Sequence, residues 1–269
     1  MLLAVCVLLV LYSICIEPYW VEVTQHDIFM RRLPSALDGL RVVQLTDFHF
    51  PVGLPVSYYR RVVALANNQH ADLIVLTGDY IARSAEDAES CAAILRELHA
   101  PLGVWAVLGN HDYWTNSARM RCALEAAGIH VLVNKAVPIR ARGTHCWLVG
   151  LDDTWSGHPN TKLALRGVPP GEASIALVHE PDYADTVARF PVDVQLSGHS
   201  HGGQVRIPLI QGLLLPRFSR RYPVGFYTID HLILYTSRGI GGVSVPLSGR
   251  HLTIRFNCRP EITVLTLRR

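Results

Sequence analysis

Five short blocks hold most of the chemistry this chain has to offer. Leu45-Thr46 runs into Asp47-Phe48-His49, Leu76-Thr77 into Gly78-Asp79, and Val107-Leu108 into Gly109-Asn110-His111-Asp112. Further on, Leu177-Val178 runs into His179, and Leu196-Ser197 into Gly198-His199-Ser200-His201-Gly202-Gly203. Asp, His and Asn supply oxygen and imidazole donors suited to Mn, Fe or Zn, without thiolate. Singly, each block is weak evidence: Gly-Asp after an apolar run is ordinarily a turn, and histidine also serves roles other than metal binding. Their joint occurrence is the signal. The neighbouring glycines permit tight turns and close backbone approach.

Each block stands where an apolar run stops, so the runs read as strands that deliver donors from their ends. Strands are predicted over 41–46, 72–77, 104–108, 130–133, 146–151, 174–178, 193–197, 204–207, 232–236 and 262–267, and helices over 57–68, 85–99, 116–127 and 183–190, from period-two and period-3.6 patterning. The first three blocks lie about 30 residues apart, the length of a βαβ unit. That spacing brings them to neighbouring strand ends, where α/β sheets place ligand sites. The second half is richer in strands and turns. The expected fold class is therefore α/β, one layered domain over 22–269 with sheets packed face to face and helices outside.

Composition narrows the partners. The 269 residues carry 25 Lys+Arg against 22 Asp+Glu, a formal charge of +3 without basic runs, which argues against nucleic acid. With 49% hydrophobic and 17% charged residues, long disorder is excluded. The six cysteines form no CxxC pair and are expected to be reduced and structural.

Residues 1–16, MLLAVCVLLVLYSICI, carry no charged side chain. Continued through Val21, they predict a helix about 30 Å long, enough to cross a bilayer core, with Tyr19 and Trp20 at the interface. The expectation is a transmembrane anchor over 1–21. A cleaved signal peptide and a soluble start are the alternatives, the former weakened by the lack of a basic n-region and of a small-residue cleavage site. Arg31 and Arg32 follow the segment and place the catalytic domain on the cytoplasmic side of a cell membrane, as a single-pass protein.

In this order, Asp-x-His, Gly-Asp, Gly-Asn-His-Asp, a later His and Gly-His-x-His resemble the calcineurin-like metallophosphoesterase family. GHSHGGQVRIP at 198–208, YTSRGIG at 235–241 and RFNCRPEITVLTL at 255–267 are similar to its membrane-anchored bacterial branch. That branch includes phosphodiesterases and a UDP-2,3-diacylglucosamine pyrophosphatase. The resemblance implies an α/β/β/α fold and a dinuclear site for two divalent ions (Mn, Fe or Zn, with Mn favoured). Asp47, His49 and His201 would hold one ion, Asn110, His179 and His199 the other, and Asp79 would bridge them. Physical logic agrees, because two cations close together need a shared anion and together clamp a phosphoryl group. By the same resemblance His111 faces the substrate as a catalytic group, and Asp112 either orients it or caps the next turn. The family often carries a further Asp after the second block; here Ala82 stands in that place.

The expected activity is hydrolysis of a phosphodiester or pyrophosphate, with a lipid-linked substrate such as UDP-2,3-diacylglucosamine at a membrane as the particular expectation. Soluble phosphoesters, or a non-catalytic metal-stabilised scaffold, are the alternatives. Two further segments are singled out. The arginines of 203–225 (Arg206, Arg217, Arg220, Arg221) read either as a lipid-facing flap or as an ordinary loop. The turn Arg238-Gly239-Ile240-Gly241-Gly242 reads either as phosphate-facing or as a plain turn.

Overall fold

The computed structural model describes residues 2–207, 215–247 and 250–269. Its strands are β1 (Glu22–Phe29), β2 (Arg41–Leu45), β3 (Leu73–Thr77), β4 (Val104–Val107), β5 (His130–Val131), β6 (Lys135–Ala141), β7 (Thr144–Gly150), β8 (Ser174–Leu177), β9 (Val194–Ser197), β10 (Gly225–Ile229), β11 (Leu232–Thr236), β12 (Ser244–Leu247), β13 (Arg250–Thr253) and β14 (Glu261–Arg268). Its helices are α1 (Leu2–Cys15), α2 (Val56–Asn67), α3 (Ala88–Leu95), α4 (Asn110–Thr115), α5 (Ser117–Ala126), α6 (Thr161–Ala164) and α7 (Ala184–Val187). One sheet runs β1-β14-β2-β3-β4-β5 and the other β10-β11-β9-β8-β7-β6, with β12 and β13 as a separate pair.

Alternation along the strands builds the layers. In β2, Val43 and Leu45 join a core with Tyr59, Val62 and Val63 of α2. Val42 points the other way, into a core shared with Leu148, Ile175 and Leu196 of the second sheet. Val149, Val178 and Val187 form a third cluster outside that sheet. The result is the expected helix–sheet–sheet–helix order. Strands covered on both faces lose their polar side, which is why Leu73–Thr77 is buried throughout and reads as a continuous apolar run.

The anchor expectation fails. Among the described residues no helix is long and apolar enough to cross a membrane. The expected single-pass placement in a cell membrane, and with it the cytoplasmic side, loses its support. At about 1.5 Å per residue, the 14 residues of α1 span roughly 21 Å. A 3₁₀ turn, Glu17–Tyr19, follows, and Pro18 has no N–H with which to continue an α-helix. Residues 17–21 instead join the domain. Glu17 is buried, and its carboxylate accepts the backbone N–H groups of Asn257 and Cys258. The Arg255 N–H donates to the Ser13 carbonyl at 2.9 Å, and the Arg259 guanidinium lies 3.6 Å from the Trp20 ring centroid. Hydrogen bonds to a charged acceptor are worth about 1.5–3 kcal/mol. Glu17→Ala is therefore expected to lower the unfolding free energy by about 2 kcal/mol in urea titrations, with Glu17→Gln losing less.

Smaller differences have local causes. The predicted helix over 85–99 opens as a 3₁₀ turn, Ala85–Asp87, and α3 ends at Leu95. Residues 204–207 form no strand; Val205 makes a single bridge to Phe256. The sequence reading passed over β1 because it lies at the sheet edge and is largely half-exposed, so polar residues interrupt its pattern.

Candidate metal centre

Both sheets supply the site. Parallel pairing of β2, β3 and β4 lines up the loops bearing Asp47 and His49, Asp79, and Asn110. Parallel pairing of β8 and β9 does the same for His179 and for His199 and His201. Gln44 ties the sheets just beneath: its amide donates to Thr77 Oγ1 and to the Ser197 carbonyl, both at 3.0 Å.

The backbone is strained where the donors turn inward. Asp47, His49, Asp79, His199 and His201 all have positive φ, between 49° and 67°, a region that costs non-glycine residues about 1–3 kcal/mol each and persists only where surroundings over-determine it. Here they do. The Asp47 N–H donates to Gly78 O at 3.0 Å and the His49 N–H to Asp79 O at 3.1 Å. A Cβ on Gly109 would lie 2.3 Å from Asp79 Oδ1, and one on Gly198 2.1 Å from Thr46 Oγ1. Those two glycines are required by close approach.

Three groups of donor atoms converge, each within 4.8 Å: Asp47, His49 and His201; His49, Asp79 and His111; Asp79, His179 and His199. Asp79 joins two of them, with one carboxylate oxygen 3.5 Å from His49 Nε2 and 3.2 Å from His179 Nε2. His201 Nε2 lies 3.6 Å from Asp47 Oδ1 and 3.0 Å from His49 Nε2. Imidazoles are oriented from behind: His179 Nδ1 is 2.6 Å from Thr77 O, and His199 Nε2 is 2.8 Å from Arg217 O. Such backing is what metal-binding histidines ordinarily have.

Burial and mutual charge pull the titratable groups of the cluster in opposite directions. Burial lifts the Asp47 carboxyl to about 7, with Asp79 adding to the rise. Burial depresses His49 to about 3, helped by His111, and holds His201 well below the usual range. His179 goes the other way: burial opposes its charge, but the adjoining Asp79 carboxylate prevails and holds it well above 6.5. Among the described residues, Asn110 Oδ1 and His201 Nδ1 are buried without a hydrogen-bond partner. The 3.0 Å between the His49 and His201 nitrogens equals the gap between adjacent octahedral ligands at about 2.1 Å from one ion. The donor set fits divalent cations.

Around the donors lie groups with distinct tasks. His111 Nδ1 is 3.3 Å from the Ala82 carbonyl, so at the position without a side-chain acid the backbone oxygen faces the ring. The Asp112 carboxylate accepts the N–H groups of Gly109, Asp79, Tyr80 and Ile81 at 2.9–3.3 Å, tying two donor loops together; burial, with Asp79 adding, raises it to about 7. Asp153 and Glu180 are both buried, and burial, with the nearby Glu180 adding, lifts Asp153 to about 9. Sequence reasoning missed that pair, although Leu151-Asp152-Asp153 follows a strand as the five blocks do.

The turn at 238–242 is structural in a specific way. Arg238 is paired with Glu261 at 3.0 Å and Glu22 at 2.8 Å. Gly239 backs Asp47, where a Cβ would meet Asp47 Cβ at 2.7 Å, and the Gly241 N–H donates to Asp47 O at 2.7 Å. Fully buried Arg255 braces this turn from behind, donating to the carbonyls of Arg238, Gly239, Gly241 and Cys258. Cys258 Sγ lies 3.2 Å from His201 O. In the arginine-bearing segment, residues 208–214 lie outside the described residues. The Arg221 guanidinium pairs with Asp185, and the Arg220 and Arg221 N–H groups donate to Asp182.

Two sheets delivering buried Asp and His donors from their strand ends define a metallohydrolase scaffold of the α/β class. The chain belongs to the calcineurin-like phosphoesterase family, whose sequence profile matches residues 40–203. It is a hydrolase of the metallophosphoesterase type. It is 33% identical over 261 residues to the uncharacterized metallophosphoesterase YkuE of Bacillus subtilis, covering 96% of this chain and 89% of that one. It is 31% identical over 258 residues to the phosphodiesterase YaeI of Escherichia coli, covering 93% and 90%. It is 26% identical over 311 residues to the UDP-2,3-diacylglucosamine pyrophosphatase LpxG of Chlamydia muridarum, covering 93% and 90%.

Proposed function

We propose that this protein is a dinuclear metal-dependent hydrolase of phosphodiester or pyrophosphate bonds. The observation that carries the reading is Asp79, one carboxylate shared by two groups of buried donors. In this reading Asp47, His49 and His201 hold one divalent ion, Asn110, His179 and His199 the other, and Asp79 lies between. When bound, the ions supply charge neutralisation for a phosphoryl group and lower the pKa of the attacking water.

The chain's own residues do the rest. His111 Nδ1 rests on Ala82 O, which leaves Nε2 to meet the substrate and give a proton to the leaving oxygen. The His111 backbone N–H donates to Asp79 Oδ1 at 2.9 Å, which ties the residue carrying the proton donor to the shared carboxylate. Asp112 holds the loops carrying both and acts as a positioning residue. A lipid-linked pyrophosphate is the substrate class favoured here, supported by the likeness to LpxG and by the exposed apolar side chains of α1.

The test uses bis-p-nitrophenyl phosphate and a lipid pyrophosphate in mixed micelles. Turnover of the diester should require Mn²⁺, vanish with EDTA and return on adding metal back. A binding scaffold would show no turnover under any of these conditions. A soluble-substrate enzyme would hydrolyse the diester and ignore the lipid.

A further inference from the structure

The loop that leaves β7 at Asp152 touches both halves of the site, and the chemistry above makes no use of it. Asp152 is buried, and its Oδ1 accepts the hydroxyl of Tyr113, two residues past His111 on α4. The same carboxylate closes the loop on itself: Oδ1 accepts the Asp153 N–H at 3.0 Å and Oδ2 the His158 N–H at 2.9 Å. A Cβ on Gly157 would lie 2.7 Å from Asp152 Oδ1, so the returning chain leaves no room there for a side chain. Ser156 Oγ accepts the Trp114 indole N–H at 2.8 Å, and the Trp114 ring centroid lies 4.8 Å from that of His111. Toward the second sheet, Thr154 donates through its N–H and its hydroxyl to Glu180 Oε2, at 3.0 and 2.7 Å. Glu180 directly follows His179.

α4 has 6 residues, too few to hold a helix unaided, so the groups it packs against decide where His111 points. Asp112 ties its first turn to the first sheet, through the N–H groups of Asp79, Tyr80 and Ile81. The loop from Asp152 ties its second turn to the second sheet. We propose that Asp152, through the Tyr113 hydroxyl, is a positioning residue that aims the His111 imidazole at the substrate's leaving oxygen. The inference rests on the phosphohydrolase reading and adds to it the element that places its proton donor. The Tyr113 ring already packs against the helix-side core. Its hydroxyl adds what apolar contact lacks, a bond that weakens steeply when its angle changes. Proton transfer needs hydrogen-bond reach between donor and acceptor, and a misplacement of about 1 Å costs about 10²-fold in rate.

Tyr113→Phe removes one oxygen and keeps the ring. In the full Mn²⁺-loaded chain it should lower kcat about tenfold on an aryl phosphodiester with a poor leaving group, with KM and metal content unchanged. Across a series of aryl leaving groups the loss should follow that of His111→Ala. In a His111→Ala background Tyr113→Phe should cost nothing more, because no ring is left to aim. Asp152→Asn keeps an oxygen for the hydroxyl and should retain most of the rate that Asp152→Ala loses. An unchanged kcat in Tyr113→Phe would overturn the proposal, as would a loss of metal or a loss of equal factor in both backgrounds. Placement is also read without turnover, from the imidazole ¹⁵N signals of His111 in the chain loaded with diamagnetic Zn²⁺, identified by their disappearance in His111→Ala. Tyr113→Phe should shift or broaden them, and unchanged signals would overturn the proposal. Absence of turnover with the aryl diester would remove the phosphohydrolase reading, while the signals would still decide what holds His111.

Discussion

Asp79→Asn is expected to lose bound metal and at least about 10³-fold in kcat/KM on an aryl phosphodiester, the scale of the several kcal/mol that cations contribute at a phosphoryl transition state. An amide is neutral and offers one oxygen where the carboxylate offers two. In the structure both oxygens are committed, one toward His49 and His179 and the other to the His111 N–H. Elemental analysis of the purified variant separates causes: metal and rate should fall together. Two ions retained with normal turnover would remove Asp79 from the shared position.

His111→Ala should behave differently. Its ring lies at the margin of the donor cluster, 4.5 Å from His49 between centroids, and its side chain is partly exposed. Both metals should remain while kcat falls about 10²–10⁴-fold, the usual effect of removing a proton donor. A series of aryl leaving groups then identifies the task. If Nε2 delivers the proton, the loss should shrink as the leaving group improves. Equal losses across the series would assign His111 to stabilising the phosphoryl oxygens instead.

What the sequence disclosed, and what it withheld, follows from which atoms do the work. Asp47, Asp79, His179 and His199 were readable as candidate donors because the side chain itself is what a donor offers, and because they stand after apolar runs that read as strands. The layered fold was readable for the same reason, since β3 is buried at every position and almost wholly apolar. Backbone chemistry leaves no such trace. At Ala82 the group facing His111 is a carbonyl oxygen, which every residue possesses. Arg255 donates to four carbonyl groups and Asp112 accepts from four amides, so neither announces its partners in the sequence. The membrane expectation failed for a related reason. Hydropathy carried the helix through Val21, but Pro18 and the buried Glu17 carboxylate end it earlier.

That buried carboxylate has a practical consequence for anyone cutting or fusing this chain. Hydropathy invites a cut at residue 21, as if the apolar segment were a detachable handle. The seam between that segment and the enzyme lies farther upstream. Glu17 grips the backbone of Asn257 and Cys258, and the Cys258 thiol sits directly behind His201. A cut after Cys15 spares Glu17 and its two amide partners but removes the Ser13 carbonyl that accepts the Arg255 N–H. A cut at 21 removes a supporting strut from a donor loop that is distant along the chain but adjacent in space. Any fusion, tag or protease site is best placed ahead of Ser13, which leaves both the Ser13 and the Glu17 contacts with residues 255–258 intact.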